Sequence, residues 1–251
     1  MIEGVYRFAG HTVRICSRYP RVHDLCREYA SQGEPEETIC STMEEVQREQ
    51  IISDRENRME GKPEQQFPED YLEDLAVYRK IARWMIDRDT LLMHGSAIAV
   101  DGEAFLFTAK SGTGKSTHTR LWREVLGDRA VMINDDKPLL MIGEDRVTAY
   151  GTPWNGKHRL GNNISAPLKG IAILNRGTEN CIQLAETGDV LPMLIQQSYR
   201  PEDAPGMQKV MVLLDRLCRQ VPVWDLRCNM EPDAARIAYE AMSKRKGEKT
   251  P

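Results

Sequence analysis

Aromatic side chains are scarce in this 251-residue chain, at 6%, and no uninterrupted apolar run reaches ten residues. A helix crossing a bilayer needs about 20, so no membrane span and no membrane partner are expected. The six cysteines, Cys16, Cys26, Cys40, Cys181, Cys218 and Cys228, form no CxxC pair and no metal-ligand spacing. They read as reduced thiols of a cytoplasmic protein rather than as a disulfide framework or a zinc site. A basic excess is also missing. With 34 Lys and Arg against 38 Asp and Glu, the net charge is −4, which argues against a nucleic-acid partner. The opening Met-Ile-Glu-Gly-Val-Tyr lacks a basic segment followed by an apolar run, so no secretory leader is expected. Internal repeats and low-complexity tracts are absent too.

What the chain does contain is 41% hydrophobic residues, enough to bury a sizeable core. Residues 1–52 read as a small α+β domain, with Val5–Phe8 and Thr12–Ile15 as a hairpin about Ala9-Gly10. Residues 53–68 are charged and almost free of aliphatic side chains, which predicts a linker. Residues 69–251 form the main domain. It should open with a helix at Pro68, with Leu75, Tyr78, Ala82 and Met85 on one face. Strands are predicted at Leu91–Val100 and Ala104–Thr108, joined by the hairpin signal Asp101-Gly102. A helix from Gly114 to Leu126 and a strand Ala130–Asp135 follow. Further strands are expected at 139–143, 147–151 and 168–174, and helices at 189–198, 207–219 and 233–246. In the second of these helices Met207, Val210, Met211, Leu214, Leu217 and Cys218 make a helical stripe that reads as core.

The chemistry concentrates in Ala109-Lys110-Ser111-Gly112-Thr113-Gly114-Lys115-Ser116, which fits the P-loop pattern with Ala in place of the first Gly. Small residues let backbone N–H groups approach phosphate oxygens, and the following helix directs its positive end at them. Lys115 would supply a charge to the β and γ phosphates, and the Ser116 hydroxyl can ligate Mg²⁺. The relaxed pattern arises by chance in about two chains per hundred of this length. Its position between an apolar strand and a helix makes chance a poor explanation. ATP and Mg²⁺ are therefore the expected cofactors.

Twenty residues beyond Lys115, Asn134-Asp135-Asp136-Lys137 ends a predicted strand. In a parallel sheet that strand end lies beside the phosphate loop, where one carboxylate could position Mg²⁺ or accept the proton of an attacking hydroxyl. His94 lies on the strand one hairpin before the loop and could hydrogen-bond a carboxylate there. A third cluster, Gly151-Thr152-Pro153-Trp154-Asn155-Gly156-Lys157-His158-Arg159, is a basic loop. It reads equally as an anion-holding element or as a solvated turn anchored by its Trp.

Taken in order, His94-Gly95, Ser111–Ser116 and Asn134-Asp135-Asp136 resemble the core of the HPr kinase/phosphorylase family, over about residues 90–175. The P-loop is also related to that of ATP-dependent phosphoenolpyruvate carboxykinase. The resemblance implies an α/β fold, a P-loop kinase core of the HPr kinase/PEP carboxykinase type with a small N-terminal α+β domain. It implies a kinase in which Ser111, Gly112, Thr113, Gly114, Lys115, Ser116 and Thr117 bind ATP, and Ser116 and Asp136 hold Mg²⁺. Asp135 would be the base, His94 its partner and Asp136 an accessory carboxylate near the metal. Relatives of this type phosphorylate a serine of a precursor peptide or free serine. The family usually carries a glutamate where this chain has Thr117, and its downstream metal-associated glutamate next to a glycine-rich stretch is not found here. These departures argue against HPr as substrate and against the reverse phosphorylase reaction. The chain's length argues against carboxykinase activity.

The expected function is thus transfer of the γ-phosphoryl group of ATP to a hydroxyl, that of serine foremost, on a peptide, protein or small molecule. The competing expectations are an ATPase and a nucleotide-sensing switch without a dedicated acceptor. Substrate recognition, homo-oligomer formation and covering of the sheet are the roles open to the N-terminal domain, and its residues do not decide among them.

Overall fold

A computed structural model describes residues 1–59, 61 and 63–244. The chain divides into two compact units, Met1–Trp84 and a second that begins at Met85. Among the described residues no helix is long and apolar enough to cross a membrane.

In the first unit β1 (Ile2–Phe8) and β2 (His11–Ser17) pair antiparallel. Ala9 (φ 47°) and Gly10 (φ 87°) form the turn, both left-handed as the tight hairpin requires. A short helix, α1 (Arg21–Leu25), leads to β3 (Glu37–Cys40), which pairs parallel with β2. Helices α2 (Met43–Met59) and α3 (Glu69–Ile86) follow.

The predicted linker differs from what is observed, since residues 53–59 continue α2. Glu60 and Lys62, in the same predicted segment, lie outside the described residues. The helix is set by its start rather than by apolar content. Glu45 N–H donates to Thr42 Oγ1 (3.2 Å) and Thr42 N–H donates to Glu45 Oε2 (2.9 Å), a reciprocal capping box. Most of α3 also falls within the first unit, rather than with the residues after it as expected. Buried Glu73 accepts the backbone N–H groups of Arg18 and Tyr19 (both 2.8 Å) and the Ser41 hydroxyl (2.6 Å). Arg79 pairs with Glu49 of α2 at 2.8 Å. Polar ties of this kind leave no trace in hydrophobic periodicity.

The second unit is mixed α/β around a nine-stranded sheet. In chain order its elements are β4 (Thr90–Leu92), β5 (Ser96–Val100), β6 (Glu103–Thr108), α4 (Lys115–Leu126), β7 (Ala130–Asn134), β8 (Leu139–Ile142), β9 (Val147–Tyr150) and β10 (Ser165–Arg176), then β11 (Cys181–Leu184), α5 (Thr187–Gln197), α6 (Ala204–Gln220), β12 (Val223–Cys228) and α7 (Pro232–Met242). Of the last helix, predicted over 233–246, residues 245 and 246 lie outside the described ones. The main strand order is β4-β8-β9-β10-β6-β5-β7, with β12 beside β10 and β11 beside β12. On β6, Ala104 and Leu106 pack into one core with Val210, Leu214 and Leu217 of α6, whereas Phe105 and Phe107 pack into the other with Trp122 of α4 and Ala238 of α7. Burial on both faces is why the strand reads as a continuous apolar run. Of the α6 stripe read as core from its spacing, Val210, Leu214 and Leu217 are core and Met207 and Cys218 pack against it half-buried, whereas Met211 is not among the core residues.

Two features of this sheet position the site. The expected strand Leu91–Val100 is broken, with β4 and β5 in different places and Met93–Gly95 between them. A Cβ on Gly95 would stand 2.8 Å from Leu106 Cδ1 and 2.9 Å from the Phe107 carbonyl, so only glycine fits this crossing. Furthermore, β7 is not beside β6. β5 lies between them and runs antiparallel to both. The carboxyl ends of β6 and β7 and the amino end of β5 therefore share one edge.

Candidate functional site

β6 leads out through Ala109 into the Ser111–Ser116 loop, and α4 begins at Lys115. Gly112 (φ 75°) and Gly114 (φ 124°) adopt left-handed backbone that L side chains rarely reach, and a Cβ at either would meet nothing within 4 Å. Conformation, rather than crowding, is what demands glycine at these two positions. Gly114 is the N-cap of α4 and itself offers no side-chain oxygen to the first-turn N–H groups. Positive helix end, left-handed glycines and no side-chain cap together fit a phosphate group. The Lys115 ammonium is folded onto this loop, donating to the Ala109 carbonyl at 3.2 Å. Ser116 is exposed and Thr117 half-buried. From the end of β10, Arg176 donates to the carbonyls of Gly112 and Thr113 and braces the loop from its carbonyl side.

The acidic cluster is shaped by Asn134, a fully buried residue at the end of β7. Its Oδ1 accepts the N–H groups of Asp136 (2.8 Å) and Lys137 (2.6 Å), and its Nδ2 donates to the carbonyl and the hydroxyl of Thr152 (both 3.0 Å). The resulting turn fixes the two carboxylates in different surroundings. Asp135 is 5% exposed and its Oδ1 accepts the Ser96 hydroxyl at 2.9 Å. Gly156 lies against it, where a Cβ would approach Asp135 Oδ2 to 3.2 Å. Asp136 is half-buried, with Lys137 Nζ at 2.9 Å from Oδ2 and His94 Nε2 at 3.4 Å from Oδ1.

His94 was expected to partner Asp135, whereas the structure pairs it with Asp136. The reason is strand alternation. Gly95 N–H donates to the Asp136 carbonyl (2.9 Å), and Ser96, the next residue along, takes Asp135 instead. Burial and the charge of Lys115 hold the His94 imidazole down to about pKa 4, against an opposing pull from Asp136. His94 is therefore neutral at pH 7 and lies within the electrostatic reach of the loop lysine. The structure thus brings Lys115, His94, Asp135 and Asp136 to one edge of the sheet.

Sequence reasoning assigned no role to Ser96, Asn134, Thr152 or Gly156. The signal for Asn134 was present, because Asn two residues before a polar residue at a strand end is an Asx-turn former. The other three depend on contacts distant in sequence. In the basic loop Trp154 is buried, and Lys157, His158 and Arg159 are exposed. The loop docks on β7 through Asn162, whose Nδ2 donates to the Met132 carbonyl at 2.8 Å. Among the described residues no group of three or more His, Cys, Asp and Glu side chains is arranged to hold a metal. Mg²⁺ bound with nucleotide does not need one, since phosphates and water supply most of its ligands.

Fold and site together describe a mixed α/β protein with a glycine loop and an acidic turn at one edge of its sheet. No protein-family model matches the chain, and no curated protein matches it. Among solved structures, the HPr(Ser) kinase/phosphatase from Coxiella burnetii is similar to it at 9% identity with a TM-score of 0.34, covering 61% of this chain and 99% of that one. That is a distant likeness in fold.

Proposed function

We propose that this protein is a kinase that transfers the γ-phosphoryl group of ATP to a hydroxyl, with serine on a peptide, protein or small molecule as the leading acceptor. The observation that carries the reading is the convergence of Lys115 and the Ser111–Ser116 loop with Asp135, Asp136 and His94 at one sheet edge. Donor-holding and proton-accepting groups need that proximity, because phosphoryl transfer is achieved by positioning and charge stabilisation.

In this reading the loop N–H groups and Lys115 hold the β and γ phosphates, and Ser116 and Asp136 hold Mg²⁺. The metal, when bound, neutralises charge on the transferring group. Asp135 accepts the hydroxyl proton, and the Ser96 hydroxyl fixes its orientation. His94, neutral and beside Asp136, orients that carboxylate. An ATPase is the second reading, favoured by the 5% exposure of Asp135, which admits a water molecule more readily than a bulky acceptor.

The test is an acceptor screen. Labelled ATP and Mg²⁺ are offered with free serine, serine-containing peptides and cell extract, using Lys115→Ala as the blank. Label on an acceptor that is lost in the blank supports the kinase. Phosphate release that is unaffected by every acceptor supports the ATPase. Labelling that persists in the blank removes the loop from the reaction.

A further inference from the structure

A cavity of ≈ 410 Å³ opens on the side of the glycine loop away from the acidic turn, between Gly112–Gly114, the first turns of α4, the end of β10 and the residues after β12. Its size is that of small-molecule pockets. We propose that this cavity seats the nucleoside of the nucleotide, so that base and acceptor lie on opposite sides of the loop. The inference rests on the kinase reading and adds where the base goes and what holds it.

The chemistry of the walls suits a flat aromatic ring with a polar tail. Leu121 of α4 and Leu174 of β10 line the cavity and are almost fully buried. Met230 stands at the cavity with 75% of its surface exposed. An exposed methionine beside an apolar pocket has surface to gain by covering a ligand, and thioethers pack well against aromatic rings. The cavity is continuous with the loop, since Gly112, Thr113 and Gly114 line both. A ligand in it thus begins where the phosphate cradle ends.

The strand order sets the direction. β10 and β12 lie on one side of β6 and β5 and β7 on the other, so the cavity, at the ends of β10 and β12, and the acidic turn, at the end of β7, flank the loop from opposite sides. A nucleotide whose terminal phosphate meets Lys115 leaves its base on the cavity side. Arg176, which also lines the cavity and already donates to the Gly112 and Thr113 carbonyls, then holds the loop between the two halves of the ligand. It is a positioning residue.

The experiment uses the full chain. An azido-purine analogue of ATP is photocrosslinked with Mg²⁺ present, and labelled peptides are mapped. Label within 174–177 or 228–230 that is lost in Lys115→Ala is expected. Label that is lost in Lys115→Ala but maps elsewhere overturns the cavity and leaves the kinase reading standing. Absence of label, or label indifferent to Lys115→Ala, removes both. Met230→Ala separates base from phosphate contacts. It should weaken ATP binding about 3–10-fold, as expected for the loss of one apolar contact, and leave inorganic tripolyphosphate unchanged. Equal weakening of both ligands, or of neither, would count against the cavity.

Discussion

Asp135 and Asp136 are adjacent in sequence yet differ in burial, partners and expected role, because the Asn134 turn directs them to different neighbours. Replacing Asp135 by Asn keeps the shape and the Ser96 contact but removes the proton acceptor. Transfer should fall at least about 10²-fold while ATP affinity, measured by calorimetry, stays within a few-fold of wild type. An Asn variant with full activity would take the base role from Asp135. A second residue-scale prediction concerns His118. Its Nε2 accepts the Trp122 indole N–H at 3.0 Å, and burial lowers its pKa to about 4. Accepting that bond requires an unprotonated Nε2, and burial favours the same neutral ring. The unfolded chain, with an ordinary His, binds this proton below about pH 6.5, whereas the folded chain resists it down to about pH 4. Stability is therefore full above pH 6.5 and falls as the pH drops from there toward 4. The group's share of the loss approaches about 3 kcal/mol. Thermal melts of nucleotide-free protein between pH 7 and 4.5 should show this slope, and His118→Leu should flatten it if the fold survives.

Elements were legible to the extent that they follow simple periodicity. The Asp101-Gly102 hairpin, with φ of 51° and 84°, and the amphipathic α6 are local patterns, and both are as read from sequence. The N-terminal turn at Ala9-Gly10 is another. Misreadings came where long-range contacts decide. α2 was hidden by its polar surface, although Thr42 and Glu45 already spelled its capping box. Thr42→Ala should cost about 1 kcal/mol of stability, measured by urea denaturation. The membership of α3 in the first unit rests on Glu73, a buried carboxylate serving three donors from segments far apart in sequence. Glu73→Ala leaves the Ser41 hydroxyl buried without this acceptor, and two part-buried N–H groups without theirs, and should cost about 2–3 kcal/mol. A loss under about 1 kcal/mol would mean that the tie is incidental. The break between β4 and β5 was likewise illegible, because the crowding that demands Gly95 comes from Leu106 and Phe107 of the next strand.

For the whole molecule, the order of strands decides what the motifs can do. The loop, the histidine and the acidic turn were each visible as residues, and their proximity was assumed from a parallel β6–β7 pair. The sheet reaches that proximity another way. It inserts β5 antiparallel between them and delivers His94 to the same edge. No local signal encodes that arrangement, since it arises from which buried faces pair. The acceptor remains the least legible part, because specificity lies in loop contacts that depend on the folded surface. The central claim is that the Ser111–Ser116 loop holds the phosphates of a nucleotide beside these acids. Its most direct test is titration of ATP with Mg²⁺ into the full chain and into Lys115→Ala, followed calorimetrically. Saturable one-to-one binding that weakens at least about tenfold in the variant, near the strength of one charge-assisted contact, is the predicted result. Binding of equal strength in both proteins, or no binding in either, would contradict the account.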